Sequence, residues 1–118
     1  MKNNTYPKSE KLKSEKEITL LFKKGKWRTS GNIRIVFLKT ETLPHSKISV
    51  AVSKRNLKKA VDRNRAKRLM RETYRLNKQT FRQAFDTPVL SMIFWISNQT
   101  PKHFSEVEKD FLEVLKKV

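Results

Sequence analysis

The spacing of apolar residues along the chain predicts several amphipathic helices. Residues 14–17 (SEKE) have the form of a capping box, which predicts a helix that starts there and ends at Gly25. Residues 58–77 carry apolar positions three and four apart, which predicts a second, longer helix. Residues 105–108 (SEVE) form a second capping box, followed by apolar residues at helical spacing to the last residue. The pattern therefore predicts three helices.

The remaining apolar runs predict strands. Residues 33–40 (IRIVFLKT) are rich in β-branched and aromatic residues, and residues 47–53 (KISVAVS) alternate between apolar and small polar positions. Residues 88–97 (PVLSMIFWIS) are apolar on both faces, which is typical of a central, doubly covered strand. With a short strand placed at residues 26–29, the order is α-β-β-β-α-β-α. We predict an α/β (α+β) two-layer sandwich, in which helices pack on a small mixed sheet.

The length of the chain and its lack of cysteine narrow the classes of protein to which it can belong. Its 118 residues suit one domain, and the absence of cysteine excludes disulfides and thiolate metal sites. No apolar run approaches the ~20 residues of a membrane span, and the N-terminus has no apolar segment typical of a signal peptide. We predict a cytoplasmic protein with a flexible basic arm at residues 1–13 and one α/β domain over residues 14–118.

The charge of the chain indicates its class of partner. Lys and Arg number 28 against 11 Asp and Glu, which gives a net charge of +17 at pH 7. A small domain does not need this charge to fold, because self-repulsion opposes the compact state. A membrane surface would favour a helix with a strongly apolar face. A polyanion, and nucleic acid above all, explains the charge best.

Much of this charge lies on the second predicted helix and its entrance. Residues 54–75 include ten basic and two acidic residues, too few acids to pair the cations along the helix. Helical spacing places the cations on one side and the apolar residues on the other. RNA is favoured over DNA, because strands flank this helix, unlike a helix-turn-helix, and arginine suits phosphates and bases. The predicted RNA-binding residues are Lys54, Arg55, Lys58, Lys59, Arg63, Asn64, Arg65, Lys67, Arg68, Arg71 and Arg75.

The sequence offers little for catalysis by the protein. A protein nuclease needs a general acid and base, or carboxylates that hold a metal. The only histidines, His45 and His103, lie near prolines in predicted loops, and no spaced cluster of acids is present. We predict no catalytic residue, no metal ligand and no cofactor bound by the protein alone, so that any bond cleavage depends on a partner.

Residues 53–75 (SKRNLKKAVDRNRAKRLMRETYR) resemble the signature of the bacterial ribonuclease P protein subunit, and residues 22–25 (FKKG) resemble the end of that family's first helix. Two departures stand out. Residues 56–59 (NLKK) replace a segment in which the family often has glycine, and they make it one residue longer. Ile18 stands where an aromatic residue is common. The signature positions that agree are Ser53, Lys54, Arg55, Ala60, Val61, Arg63, Asn64, Arg65, Lys67, Arg68, Arg71 and Glu72.

This resemblance implies a function and a mechanism. The family's enzyme is a ribonucleoprotein endoribonuclease that hydrolyses a phosphodiester in precursor tRNA and so removes the 5′ leader. The resemblance implies that catalysis and its Mg²⁺ ions belong to the RNA subunit. The protein would bind the catalytic RNA through the basic helix and hold the leader in a cleft between that helix and the sheet. It also implies a left-handed βαβ crossover, against the usual hand, and no DNA partner.

The leader cleft has five candidate residues in this sequence. Ser49, Ala51 and Ser53 form the small polar face of a strand beside the basic helix, which suits a single-stranded ligand. Phe22 and Phe37 are candidate stacking platforms, although both also fit an ordinary core. Trp27 fits either stacking on RNA or covering the edge of the sheet. A stacked base contributes roughly 1–3 kcal/mol without requiring a particular sequence. Two other functions remain open: a ribosomal or RNA-chaperone-type binding module with no role in cleavage, and a DNA-binding protein.

Overall fold

The computed structural model describes residues 6–40 and 43–118. The predicted order of elements is confirmed, with one additional helix, α3. After a 3₁₀ turn at Lys8–Glu10, the elements are α1 (Glu15–Lys24), β1 (Lys26–Ser30), β2 (Ile33–Lys39), β3 (Lys47–Ala51), α2 (Ala60–Leu76), α3 (Lys78–Phe85), β4 (Val89–Trp95) and α4 (Phe104–Leu115).

The strands form one mixed sheet in the order β1-β2-β4-β3. β2 pairs antiparallel with β1 and β4, whereas β3 pairs parallel with β4. The central position predicted for β4 is therefore confirmed. A parallel pair needs a crossover connection, which α2 and α3 supply here. The left-handed sense of that crossover stays a prediction from the resemblance.

Helices cover the two faces of the sheet unequally. The main core lies between one face and α2, α3 and α4, and Ile35, Ile48 and Ile93 are at most 1% exposed there. α1 packs on part of the other face, where Leu21 contacts the cluster that contains Val36 and Met92. The fold is thus a two-layer core with a partial third layer, and part of the α1 face of the sheet stays open.

Residues 6–12 of the predicted flexible arm lie against the fold, and residues 1–5 lie outside the described residues. Residues 6–12, here called the N-terminal strap, are docked along the exposed edge of β3. Lys11 forms a parallel bridge with Ile48, and the Tyr6 hydroxyl donates to the Ile48 carbonyl at 2.5 Å. Glu10 accepts from the ammonium of Lys78 at 2.8 Å, in an ion pair that is largely buried. These contacts are distant in sequence, so no local pattern could predict them.

One helix was not predicted, and the start of another differs from the prediction. α3 was missed, although Phe81 and Phe85 are spaced one turn apart and are both buried in the main core. α4 begins at Phe104, because the amide of His103 donates to the carboxylate of Glu106 at 3.2 Å. The capping interaction predicted at Ser105 is therefore made two residues earlier. The predicted start and end of α1 are confirmed, since the Ser14 hydroxyl accepts from the Glu17 amide and Gly25 is the C-cap.

Candidate nucleic-acid interface

Helix α2 is amphipathic in the phase that its sequence predicts. Ala66 and Met70 are at most 1% exposed and face the main core. On the opposite side, Asn64, Arg68 and Arg71 are exposed. Because the apolar side of α2 packs on the sheet, the cations on its opposite side face solvent.

Seven of the predicted cations form a surface that we call the cationic face. Each lies on α2 or on the loop that precedes it, and none of the seven side chains makes an ion pair or hydrogen bond within residues 6–40 and 43–118. No acid in the described part of the chain makes an ion pair with these side chains, so their mutual repulsion favours the binding of a polyanion. These residues are Lys54, Arg55, Lys58, Lys59, Lys67, Arg68 and Arg71.

Arg75 differs from this group, because it makes an ion pair with Glu72 one turn earlier on the same helix. The hydrogen bonds from its guanidinium lower the pKa of the Glu72 carboxyl. This pair occupies the C-terminal end of the predicted RNA-binding helix. Of the helix cations predicted to bind RNA, Arg75 is thus the one already neutralised by an acid in the described part of the chain.

Arg63 and Arg65 point to backbone carbonyls. Arg63 donates to the carbonyls of Leu57 and Lys58 at 2.9 and 2.8 Å, and so fastens the loop before α2. Arg65 donates from Nε to Pro101 O at 2.9 Å and from Nη2 to Lys102 O at 2.5 Å. Both arginines therefore connect α2 to a neighbouring loop.

The loop before α2 contains the longer segment seen in the sequence. Asn56 anchors it, because its side-chain amide donates to the Ile96 carbonyl at 2.8 Å, and Leu57 is buried at 3% exposure. The Ser53 hydroxyl donates to the Asn56 side chain at 2.7 Å. Ser53 follows the end of β3 and belongs to this loop, so its predicted place on the floor of the cleft is wrong.

The open part of the sheet lies on the same face as α1. Ala51 on β3 pairs with Phe94 on β4, so the two side chains project from the same face, and Ser49 lies two residues earlier along β3. All three are partly exposed. Buried core side chains fill the space between α2 and the sheet. The predicted cleft needed α2 to form one wall over Ser49 and Ala51, and α2 does not cover them. They lie on the other face, beside α1.

Three aromatic rings border this open face, and we call them the aromatic platform. The ring centroids of Phe22, Trp27 and Phe94 lie 5.6–6.2 Å apart. Phe22 is 46% exposed and Trp27 is 43% exposed. Gly25 allows this arrangement, because a Cβ there would lie 2.4 Å from Leu21 O and 2.8 Å from a Val36 methyl. The absence of a side chain at Gly25 allows α1 to lie close to β2 just before β1 begins, and this places Phe22 beside Trp27.

Phe37 does not belong to this site. It is 4% exposed on the opposite face of the sheet, where its ring packs 5.0 Å from that of Phe85. The guanidinium of Arg28 covers it at 5.7 Å from the ring centroid. The predicted stacking role of Phe37 is wrong, because strand alternation turns its side chain into the main core.

Sequence reasoning missed Phe94 and left Trp27 undecided. The apolar run around Phe94 predicts a fully covered strand, and only the limited length of α1 leaves this residue accessible. The register places Phe94 beside Arg34 of β2, whose Nε donates to Thr29 at 3.2 Å and whose side chain is exposed. A cation thus stands beside the aromatic platform, as is typical of single-strand binding surfaces.

The N-terminal strap lies along the β3 edge of the sheet, and it also contacts α2. Burial raises the pKa of Tyr6 to about 12, with the positive charge of Arg71 acting in the opposite direction. The Tyr6 ring packs edge-on against Tyr74 of α2 at 5.4 Å. The strap therefore joins helix α2 to the edge of the sheet.

Two further properties of the described residues bear on the site. No three His, Cys, Asp or Glu side chains among them come together as a metal site. No helix in residues 6–40 and 43–118 combines the length and the apolar character needed to cross a membrane.

Comparison with known proteins gives consistent matches. The family model described as Ribonuclease P matches residues 6–118. The ribonuclease P protein component of Methylococcus capsulatus is 38% identical over 71 residues, which cover 60% of this chain and 55% of that protein. The chain thus spans about half the length of that relative. The corresponding protein of Clostridium botulinum is 30% identical over 112 residues, 93% of this chain and 95% of its own.

The fold is shared with solved structures. The ribonuclease P protein of Thermotoga maritima superposes with a TM-score of 0.74 at 24% identity, and covers 92% of this chain and 97% of its own. At this identity the similarity demonstrates the common fold, including the mixed sheet and the helices that position the cationic face.

Proposed function

The chain belongs to the ribonuclease P protein family, and from this premise we propose that it is the protein component of a ribonucleoprotein that removes the 5′ leader from precursor tRNA. The observation that carries the proposal is the cationic face: a surface of α2 and its preceding loop whose cations have no acidic partners in the described part of the chain. Folded RNA presents irregular, crowded phosphates that such a surface can bridge.

The open sheet face supplies a second RNA-binding surface in this proposal. The exposed rings of the aromatic platform can stack on successive bases, and Ser49 and Ala51 leave room for a single strand. Stacking does not select a base, which suits leaders of varied sequence. We place the leader here, beside α1, with the cationic face bound to the catalytic RNA.

We assign the hydrolysis to the RNA partner, together with the Mg²⁺ ions that the resemblance implies. The two histidines of the protein have structural roles. His45 Nε2 lies 2.8 Å from the Ser9 carbonyl, and His103 is the N-cap of α4. The protein's contribution is then to bind and orient both RNAs, and we place this work in the cytoplasm, without a membrane or DNA partner.

Reconstitution tests the proposed function directly. The purified protein alone is expected to leave a 5′-labelled precursor tRNA intact. Addition of the protein to a ribonuclease P RNA at low Mg²⁺ is expected to stimulate release of the leader, because the cations lower the repulsion between the two RNAs. Gel analysis of the labelled leader measures the rate. Binding to both RNAs without any effect on cleavage would favour an RNA-chaperone-type module instead.

The leader site makes a separate prediction. In the reconstituted complex, Phe22→Ala or Trp27→Ala is expected to weaken binding of leader-bearing precursor tRNA about tenfold, because one stacked base contributes roughly 1–3 kcal/mol. Binding of mature tRNA, which has no leader, should stay unchanged. Leu20→Ala is the matched control, since Leu20 is an apolar residue of the same helix with a similar exposure of 40%. Equal losses for both tRNAs would remove the leader from this face.

A further inference from the structure

Arg65 stands apart from the other cations of α2 in its contacts. Its guanidinium uses two different nitrogens to reach two consecutive carbonyls, those of Pro101 and Lys102. Both acceptors belong to the loop between β4 and α4, here called loop 96–103. A planar guanidinium holds two acceptors in a defined geometry, which a single ammonium cannot do. Arg65 thus fastens this loop to the helix.

Loop 96–103 also adjoins the loop that carries the first cations of the cationic face. The side-chain amide of Asn56 donates to Ile96 O at 2.8 Å, at the start of loop 96–103. A cavity of about 370 Å³ lies between the two loops, lined by Arg55, Lys58 and Lys59 on one side and by Asn98 and Thr100 on the other. The loop is therefore held at both ends and borders the cationic face.

Lys102 is the cation that this arrangement adds. Its side chain is exposed and has no hydrogen bond or ion pair in the part of the chain that the structure describes. Its backbone carbonyl is the one that Arg65 Nη2 holds. Sequence alone separates the two residues by 37 positions, so the connection exists only in the folded chain.

We propose that Arg65 is a positioning residue that holds loop 96–103 against α2 and thereby makes Lys102 part of the RNA-binding surface. This inference rests on the proposed function for its RNA partner, whereas the attachment of the loop does not depend on RNA. Arg65 then contributes to RNA binding through Lys102, and Arg68 and Arg71 contribute through their own contacts with phosphates.

Proteolysis of the free protein tests the attachment. In Arg65→Ala, trypsin cleavage after Lys102 is expected to accelerate about tenfold relative to cleavage after Lys24, the last residue of α1, since a hydrogen bond from a charged donor contributes at least the 1.4 kcal/mol that corresponds to a factor of ten. Mass spectrometry of the early fragments that begin at Gly25 and at His103 measures the ratio. The ratio removes any effect of general destabilisation. An unchanged ratio overturns the attachment.

A double-mutant cycle tests the consequence for binding to a ribonuclease P RNA transcript. Arg65→Ala and Lys102→Ala are each expected to weaken binding about tenfold, and the double variant should be no weaker than either. The salt slope should fall by about 0.7–0.9 in all three, which corresponds to one phosphate contact. An unchanged affinity of Lys102→Ala, or additive losses near a hundredfold, overturns the proposal. Lys109→Ala, an exposed lysine of α4, is the control.

Crosslinking tests the position of Lys102 in a chain that retains Arg65. Because the chain has no cysteine, Lys102→Cys provides a single attachment site for a photoreactive group. Crosslinks to the RNA transcript are expected from this site and not from Lys109→Cys; their absence from Lys102→Cys overturns the proposal. If the unaltered protein does not bind the transcript, the proposed function fails, and with it the RNA role of Lys102, while the proteolysis still decides the attachment.

Discussion

Replacement of Ala66 by arginine is expected to unfold the domain. Ala66 is 0% exposed, and its methyl group belongs to the main core between α2 and the sheet. A guanidinium at this position would overfill the core, and it would lose its hydration without gaining a hydrogen-bonding partner. We expect a loss of at least about 4–5 kcal/mol, which is a large part of the stability of a small domain. Thermal unfolding followed by circular dichroism measures this loss.

The control for this experiment adds the same side chain to the same helix. Asn64 lies two residues earlier and is exposed. Asn64→Arg adds the same charge at a solvated position, so its melting temperature should stay within a few degrees of the original, because surface substitutions usually change stability by about 0.5 kcal/mol or less. A normal melting temperature for Ala66→Arg would show that the side of α2 assigned to the core is wrong.

The double substitution Arg68→Ala/Arg71→Ala is expected to produce the largest loss of RNA binding without unfolding. Both side chains are exposed and make no hydrogen bond or ion pair within residues 6–40 and 43–118, so their removal breaks no such bond. We expect affinity for a ribonuclease P RNA to fall about a hundredfold, since a charge-assisted hydrogen bond contributes roughly 1.5–3 kcal/mol. The slope of log K against log salt should become shallower by about 1.4–1.8. Filter binding over a series of salt concentrations measures both.

A matched pair of lysines separates local contacts from total charge. Lys109 and Lys116 lie on and just after α4 and line the groove between α3 and α4. Lys116 makes an exposed ion pair with Glu113 at 3.4 Å, and such pairs contribute at most about 1 kcal/mol. Lys109→Ala/Lys116→Ala removes the same charge, and we expect a salt slope close to that of the unaltered protein. If both double variants lose the same affinity and slope, then the net charge of +17 rather than the cationic face determines binding.

The unpaired state of the cationic face also affects stability in the absence of RNA. Like charges one helical turn apart, such as Lys67 and Arg71, repel one another by a few tenths of a kcal/mol. Binding of RNA should therefore stabilise the folded protein both by mass action and by relief of this repulsion. The buried Glu10–Lys78 pair and the Tyr74 hydroxyl, which donates to Glu10 at 2.9 Å, hold the N-terminal strap.

The local patterns in the sequence were sufficient for most elements. The cap at Ser14 and the helix end at Gly25 predicted α1, and the apolar run of residues 88–97 predicted the central strand β4. Each signal lies within the element that it predicts. α3 was missed because its two buried phenylalanines were not recognised as one turn of a further helix.

Only part of the candidate site was predicted from the sequence. The composition of α2 was enough to identify the cationic face, since helical spacing alone separates its charged side from its apolar side. Phe37 was assigned to the wrong face, and Phe94 was missed, because both choices depend on which face of the sheet α1 leaves uncovered. The N-terminal strap was missed because its partners, Ile48 and Lys78, lie far away in the sequence.

The amino-acid sequence by itself determined the order of the elements, the side of α2 that carries the charge and the family resemblance, because periodicity and capping act between residues close in the chain. Only the tertiary structure decided which strand face stays open, which aromatic rings meet there, and that Arg63 and Arg65 bind loop carbonyls while Arg68 and Arg71 remain free of protein partners in the described residues. The physical reason is that these outcomes depend on contacts between distant segments, which exist only once the helices have packed on the sheet.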